Sequence, residues 1–129
     1  MVTGGDGDLL HIETEERPEG MVAHVSGEVD LANVVRLKQA IQPALRNCRN
    51  VILDLSHLRY MDSTGLYVLA DAHKASQHHN CQLVVVGASP TITKIMRIFG
   101  LDGQAPLVSS LDEAIDTLRS GSSGTAPNG

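Results

Sequence analysis

The run Val51-Ile52-Leu53-Asp54-Leu55-Ser56-His57-Leu58-Arg59-Tyr60-Met61-Asp62-Ser63-Thr64-Gly65-Leu66, continued by Tyr67-Val68-Leu69-Ala70-Asp71-Ala72-His73-Lys74-Ala75, decides how this chain folds. Residues 51–55 are β-branched and leucine-rich and too few for a helix, which is the pattern of a strand covered on both faces. Beyond Gly65 the period changes. Leu66, Leu69 and Ala70 recur at spacings of three and four, so the chain leaves a strand, crosses a polar turn and enters an amphipathic helix. Asp62-Ser63-Thr64-Gly65 then falls at a helix N-terminus.

The first N–H groups of a helix lack intrahelical partners, and the aligned peptide dipoles leave partial positive charge there. Asp62 or Ser63 can cap such an end by accepting from an N–H two or three residues on, and Gly65 lets the backbone of another molecule approach. An ordinary helix cap accounts for this tetrapeptide taken alone. A functional reading therefore needs the rest of the chain.

Working outward, Leu10, Ile12 and Thr14 alternate with His11 and Glu13 as in a strand with one buried face, and residues 15–20, with Pro18 and Gly20, read as a turn. Residues 21–26 give a second strand and close a hairpin. Asp30 or Asn33 is placed to cap a helix whose Val34, Leu37, Ile41, Ala44 and Leu45 share one face; Pro43 should kink it or mark a break near its end. After the central strand and helix, residues 77–80 form a polar link to a strand at 83–86. Ser89 as N-cap and Pro90 as first helical residue open a helix with Ile92, Ile95, Met96 and Phe99 on one face, ended by Gly100. Pro106-Leu107-Val108 is a candidate short edge strand. Ser110-Leu111-Asp112-Glu113 is a capping box before a last helix with Ala114, Ile115 and Leu118 inward.

The expected fold is thus α/β: one domain over residues 9–119, with a mixed, mostly parallel sheet of about four strands plus the edge strand, covered by four to five helices. A Gly- and Asp-rich segment at 1–8 should be disordered and a Gly/Ser-rich tail at 120–129 flexible. Ligand features in such sheets gather past the carboxyl ends of the parallel strands, where residues 62–65 lie.

Composition narrows function. A formal charge of −5, no Trp, one Phe and two Tyr argue against a base-stacking or phosphate-binding surface, so nucleic acid is not expected as a partner. No signal-like start and no spanning apolar run are present, which predicts a cytoplasmic protein without a membrane segment, with Cys48 and Cys81 as free thiols. A serine hydrolase built on Ser63 is a remote alternative: Met61 stands where the G-x-S-x-G elbow needs its first glycine. A metal site from His73, His78, His79 and Cys81 lacks ligand spacing, and no phosphate-cradling glycine motif is present. The expectation is a non-enzyme with no cofactor and no metal. What Ser63 suits is phosphoryl acceptance, since a phosphate at a helix N-terminus is tolerated by the fold yet opposes a docked partner through its charge.

The whole stretch resembles the STAS family, specifically the single-domain bacterial anti-sigma factor antagonists. Their hallmark is an apolar strand ending in D-L-S and a short link to D-S-[ST]-G-L, matched here by residues 51–66. Gly27-Glu28-Val29-Asp30 matches the upstream G-x-[LV]-D, while Leu83-Val84-Val85-Val86-Gly87 and Phe99-Gly100-Leu101 match the later strand and helix end. Tyr67 departs from the pattern, standing where many relatives carry a small residue.

This resemblance implies an anti-sigma factor antagonist. Its unphosphorylated form would bind an anti-sigma factor of GHKL kinase type and release a sigma factor, and phosphorylation of Ser63, with Thr64 as alternative acceptor, would end binding. A PP2C-type phosphatase would reset it. Asp62 would orient the acceptor hydroxyl, and Asp30, Asp62, Ser63, Thr64, Gly65, Leu66 and Tyr67 would form the partner-binding face of a monomer or weak dimer. The alternative within the fold is a non-switching STAS scaffold or transporter-associated subunit.

Overall fold

The computed structural model describes residues 9–98, 100 and 106–124. Leu10–Arg17 (β1) and Gly20–Val29 (β2) pair antiparallel from Leu10↔Gly27 to Arg17↔Gly20, so only Pro18 and Glu19 form the turn. The charged run 15–17, expected in the turn, belongs to β1 instead. Three parallel strands follow in order: Val51–Met61 (β3), Leu83–Val86 (β4) and Leu107–Val108 (β5), giving a five-stranded sheet β1-β2-β3-β4-β5. Val34–Arg46 (α1), Ser63–His78 (α2) and Pro90–Ile98 (α3) connect successive parallel strands, and Leu111–Gly124 (α4) ends the described chain. The α/β architecture read from the sequence holds, with four helices among the described residues.

Because each crossover steps the same way along the sheet, its handedness sends α1, α2 and α3 to one face. There Leu37, Ile41, Leu45, Leu66, Leu69, Ile92 and Met96 pack against Ala23, Val25, Leu53, Leu55 and Val85. The other face is covered only in part. Ala114, Ile115 and Leu118 of α4 pack on Val22, Ile52, Val84 and Val86. The β3 and β4 apolar runs thus serve two cores, as a strand buried on both sides must.

Several local readings need correction. β3 does not stop at Leu55 but runs to Met61; its buried residues Leu55, Leu58 and Met61 fall three apart because the register against β2 slips twice, between His24 and Ser26 and between Gly27 and Glu28. Each slip inserts one extra β3 residue, a bulge that breaks the two-residue alternation. α1 continues through Pro43 to Arg46 without a break, and α2 extends into the expected link as far as His78. α4 continues to Gly124, into the stretch expected to be flexible, whereas the predicted disorder at 1–8 and the roles of Phe99 and Leu101 lie outside the described residues. Ser89 caps α3 as expected, its Oγ accepting from Ile92 N–H at 3.1 Å, and Gly100 takes φ +78° after it. Ser110 accepts from Glu113 N–H at 3.1 Å, while Glu113 reaches back to Ser109 N–H, one residue before the partner of a standard capping box. Cys48 and Cys81 are unbridged.

Candidate functional site

The carboxyl ends of β2 and β3 are joined directly, since Asp62 N–H donates to the Val29 carbonyl at 3.1 Å. Two loops therefore leave the sheet side by side, one into α1 and one into α2. Asp62 is the N-cap of α2, with extended φ −86° and ψ −174°. One oxygen of its carboxylate accepts from Thr64 N–H at 2.9 Å, Gly65 N–H at 3.4 Å and the Thr64 hydroxyl. Across the gap, the Leu31 N–H is also directed at this carboxylate. The Thr64 hydroxyl, with these backbone donors, outweighs the desolvation and holds Asp62 below the usual carboxylate range.

This arrangement separates two neighbouring hydroxyls. Thr64 is half-buried and its hydroxyl is committed to Asp62. Ser63 is exposed at the first helical position, and among the described residues its hydroxyl has no hydrogen-bond partner. The orienting role expected for Asp62 toward Ser63 is absent in this geometry, because the carboxylate faces Thr64 and the backbone.

The facing loop is equally constrained. Asp30 Oδ1 accepts from Ala32 N–H at 3.0 Å, and Asn33 Oδ1 accepts from Asp30 N–H at 2.9 Å while its Nδ2 donates to the Glu28 carbonyl at 3.0 Å. Neither side chain caps α1, for which Asp30 or Asn33 was expected: Asn33 occupies the N-cap position but turns back to brace the loop. That bracing presents Leu31 outward at 74 % exposure. Sequence reasoning missed Leu31, whose signal was an apolar side chain immediately after Gly27-Glu28-Val29-Asp30.

Of the seven residues expected on a partner face, the structure gathers Asp30, Asp62, Ser63 and Thr64 at this end of the sheet, with Tyr67 one helical turn on and 60 % exposed. Gly65 and Leu66 are different. Leu66 is buried, and a Cβ on Gly65 would stand 2.5 Å from Met61 Cγ and 3.0 Å from Val29 Cγ1. Gly65 therefore serves close packing of α2 on the sheet and not the approach of another molecule, a correction that follows from the helix turning this side inward.

Six histidines lie among the described residues. None is hydrogen-bonded to Ser63; His73 is buried on the inner side of α2, and His78 and His79 stack edge-to-face at 4.9 Å at its far end. Among the described residues no three metal-ligating side chains are grouped for an ion, and no helix is long and apolar enough to cross a membrane.

The STAS domain family pattern matches residues 11–114. The chain belongs to the STAS domain family. Among similar STAS proteins, the anti-sigma-B factor antagonist of Staphylococcus aureus (strain NCTC 8325 / PS 47) is 31 % identical over 93 residues, covering 71 % of this chain and 86 % of the relative. The anti-sigma F factor antagonist of Paenibacillus polymyxa is 26 % identical over 111 residues, covering 84 % of this chain and 95 % of the relative. A crystal structure of an anti-sigma factor antagonist from Mycobacterium paratuberculosis superposes with a TM-score of 0.78 at 28 % identity, covering 88 % of this chain and 97 % of that one.

Proposed function

We propose that this STAS protein is an anti-sigma factor antagonist whose binding to an anti-sigma serine kinase of GHKL type is switched off by phosphorylation of Ser63. The observation that carries the choice of residue is the contrast between hydroxyls: Ser63 is exposed and unengaged, and Thr64 is tied to Asp62. The names of the curated relatives support the partner class. A phosphoserine brings a charge of roughly −1.5 to −2. Asp62 already occupies the Thr64 and Gly65 N–H groups, so the added phosphate faces outward beside the Asp62 carboxylate. A docked surface then meets like charge and the desolvation of the phosphate, while the fold beneath is unchanged. Removal of the phosphate by a PP2C-type phosphatase restores binding; the protein itself catalyses nothing and acts in the cytoplasm.

Intact mass after incubation with candidate anti-sigma kinases and ATP, paired with titration of complex formation, tests this reading. Wild type and Thr64→Ala should gain one phosphoryl group and Ser63→Ala none. Ser63→Ala should bind as wild type does. Ser63→Glu should bind more weakly by at least about 1 to 2 kcal/mol, the penalty for desolvating an unpaired polar group. Phosphate uptake kept in Ser63→Ala and lost in Thr64→Ala would move the acceptor to Thr64. Equal binding by all variants without phosphoryl transfer would favour a non-switching scaffold.

A further inference from the structure

The face of the sheet that α4 leaves open carries a cluster outside the switch site. His24, at the centre of β2, lies between carboxylates of both flanking strands: Nδ1 is 2.8 Å from Asp54 Oδ2 on β3, and Nε2 is 2.9 Å from Glu15 Oε1 on β1. An ionised carboxylate only accepts, so both contacts are hydrogen bonds only when both ring nitrogens carry hydrogen. A neutral imidazole has one N–H and would turn a lone pair toward one of the two carboxylates. One tie must then open.

The two ties are unequal. Asp54 is 15 % exposed and is further held by Ser56, whose hydroxyl and N–H donate at 2.6 and 3.0 Å. Glu15 is 40 % exposed, lies on the edge strand, and has Arg17 Nε at 3.0 Å as a second partner. We propose that His24 is a proton-operated clasp, closed as imidazolium across β1, β2 and β3, which releases its Glu15 arm and loosens the β1 edge when the imidazole becomes neutral.

The surroundings fit this role. His11 and Glu13 of β1 and His57 of β3 line the same depression of about 590 Å³, so the clasp is in reach of solvent protons. The Glu15 and Asp54 hydrogen bonds raise the proton affinity of His24 above the ordinary, against a smaller opposing effect of burial. For Glu15 the His24 bond is the largest influence and lowers its pKa; for Asp54 burial pushes upward, but the Ser56 and His24 bonds more than offset it. A raised imidazole contributes stability that is whole below its unfolded value of about 6.5 and is lost as pH rises through the folded value. The lowered carboxylates contribute above their unfolded values and fail as pH falls through their folded ones. The clasp is closed in the window between.

The test needs only the protein itself. Ring nitrogen shifts of His24 followed by NMR should show both nitrogens protonated on the acid side of a titration that lies above that of an ordinary histidine. Over the same pH range the amides of β1, corrected for intrinsic exchange, should lose protection relative to those of β4. The loss should be up to about tenfold for each pH unit separating the two titrations. His24→Gln, which cannot charge, should abolish that pH-dependent loss, and Glu15→Gln should bring the His24 titration down. Glu15 is exposed enough that its variant will fold even if an Asp54 variant does not. An imidazole titrating at or below the ordinary value, or β1 protection following the same pH course in wild type and His24→Gln, would overturn the proposal.

Discussion

On the face packed by α1, α2 and α3, Ala23, Val25, Leu53, Leu55 and Val85 are each no more than 1 % exposed. On the opposite face α4 covers Val22, Ile52, Val84 and Val86, and beyond them β1, β2 and β3 present Glu15, His24 and Asp54 to solvent. Each face also holds one informative histidine. His73, on the inner side of α2, is 6 % exposed with neither ring nitrogen hydrogen-bonded to a described protein group, and burial lowers its pKa. His24 is bonded at both nitrogens and its pKa is raised. The difference teaches that the covered face is held by apolar burial and tolerates a polar group at a cost, while the open part of the other face is held by charge and responds to protons.

If this contrast is right, Leu53→Ala should have the largest effect. It empties a fully buried site on the covered face, and the denaturant midpoint should report a loss of about 2 to 5 kcal/mol; an unchanged midpoint would deny the covered core. Ile115→Ala, under α4, should lose less, about 2 kcal/mol, because Ile115 is still 8 % exposed and its cluster is smaller. A loss equal to that of Leu53→Ala would make the two faces equivalent.

His73→Leu should stabilise by about 1 kcal/mol at neutral pH by removing two unpaired buried nitrogens. A lowered histidine pKa means the unfolded chain takes up a proton that the fold refuses, so wild type loses stability as pH falls through about 6.5. The advantage of His73→Leu should therefore grow toward acid, opposite in sign to the His24 effect. Equal slopes for variant and wild type would mean that His73 finds a partner. The smallest effect belongs to Glu13→Gln on the open face, expected within about 0.5 kcal/mol of wild type by thermal melting.

What the sequence made legible were elements whose signal is local. Residues 51–55 and 83–86 announced themselves as doubly covered strands by composition, and Ser89-Pro90 and Ser110 to Glu113 announced helix starts by capping chemistry. The upper half of β3 was hidden because its inward residues recur every third position, which imitates no regular strand. Gly65 and Leu66 were assigned to the wrong side because the inner face of a first helical turn is set by what packs beneath it, here Met61 and Val29. The join of Glu15, His24 and Asp54 was illegible for a third reason. Residues nine and thirty positions apart meet only through strand pairing, which no short window contains.

The paired register slips of β3 also act like a reading frame. One extra residue turns every later side chain to the opposite face, and a second restores the phase, so Met61 points inward on the same parity as Val51 and Asp62 emerges where α2 needs its cap. Deleting a single residue between Ser56 and Tyr60 should therefore heal one slip and leave Met61 opposite Val29, with Asp62 still at its cap. Removing two should shorten the strand yet keep the frame. A third deletion finds no extra residue to absorb it and should pull Asp62 from its cap, a limit that soluble expression of single-, double- and triple-deletion variants would check.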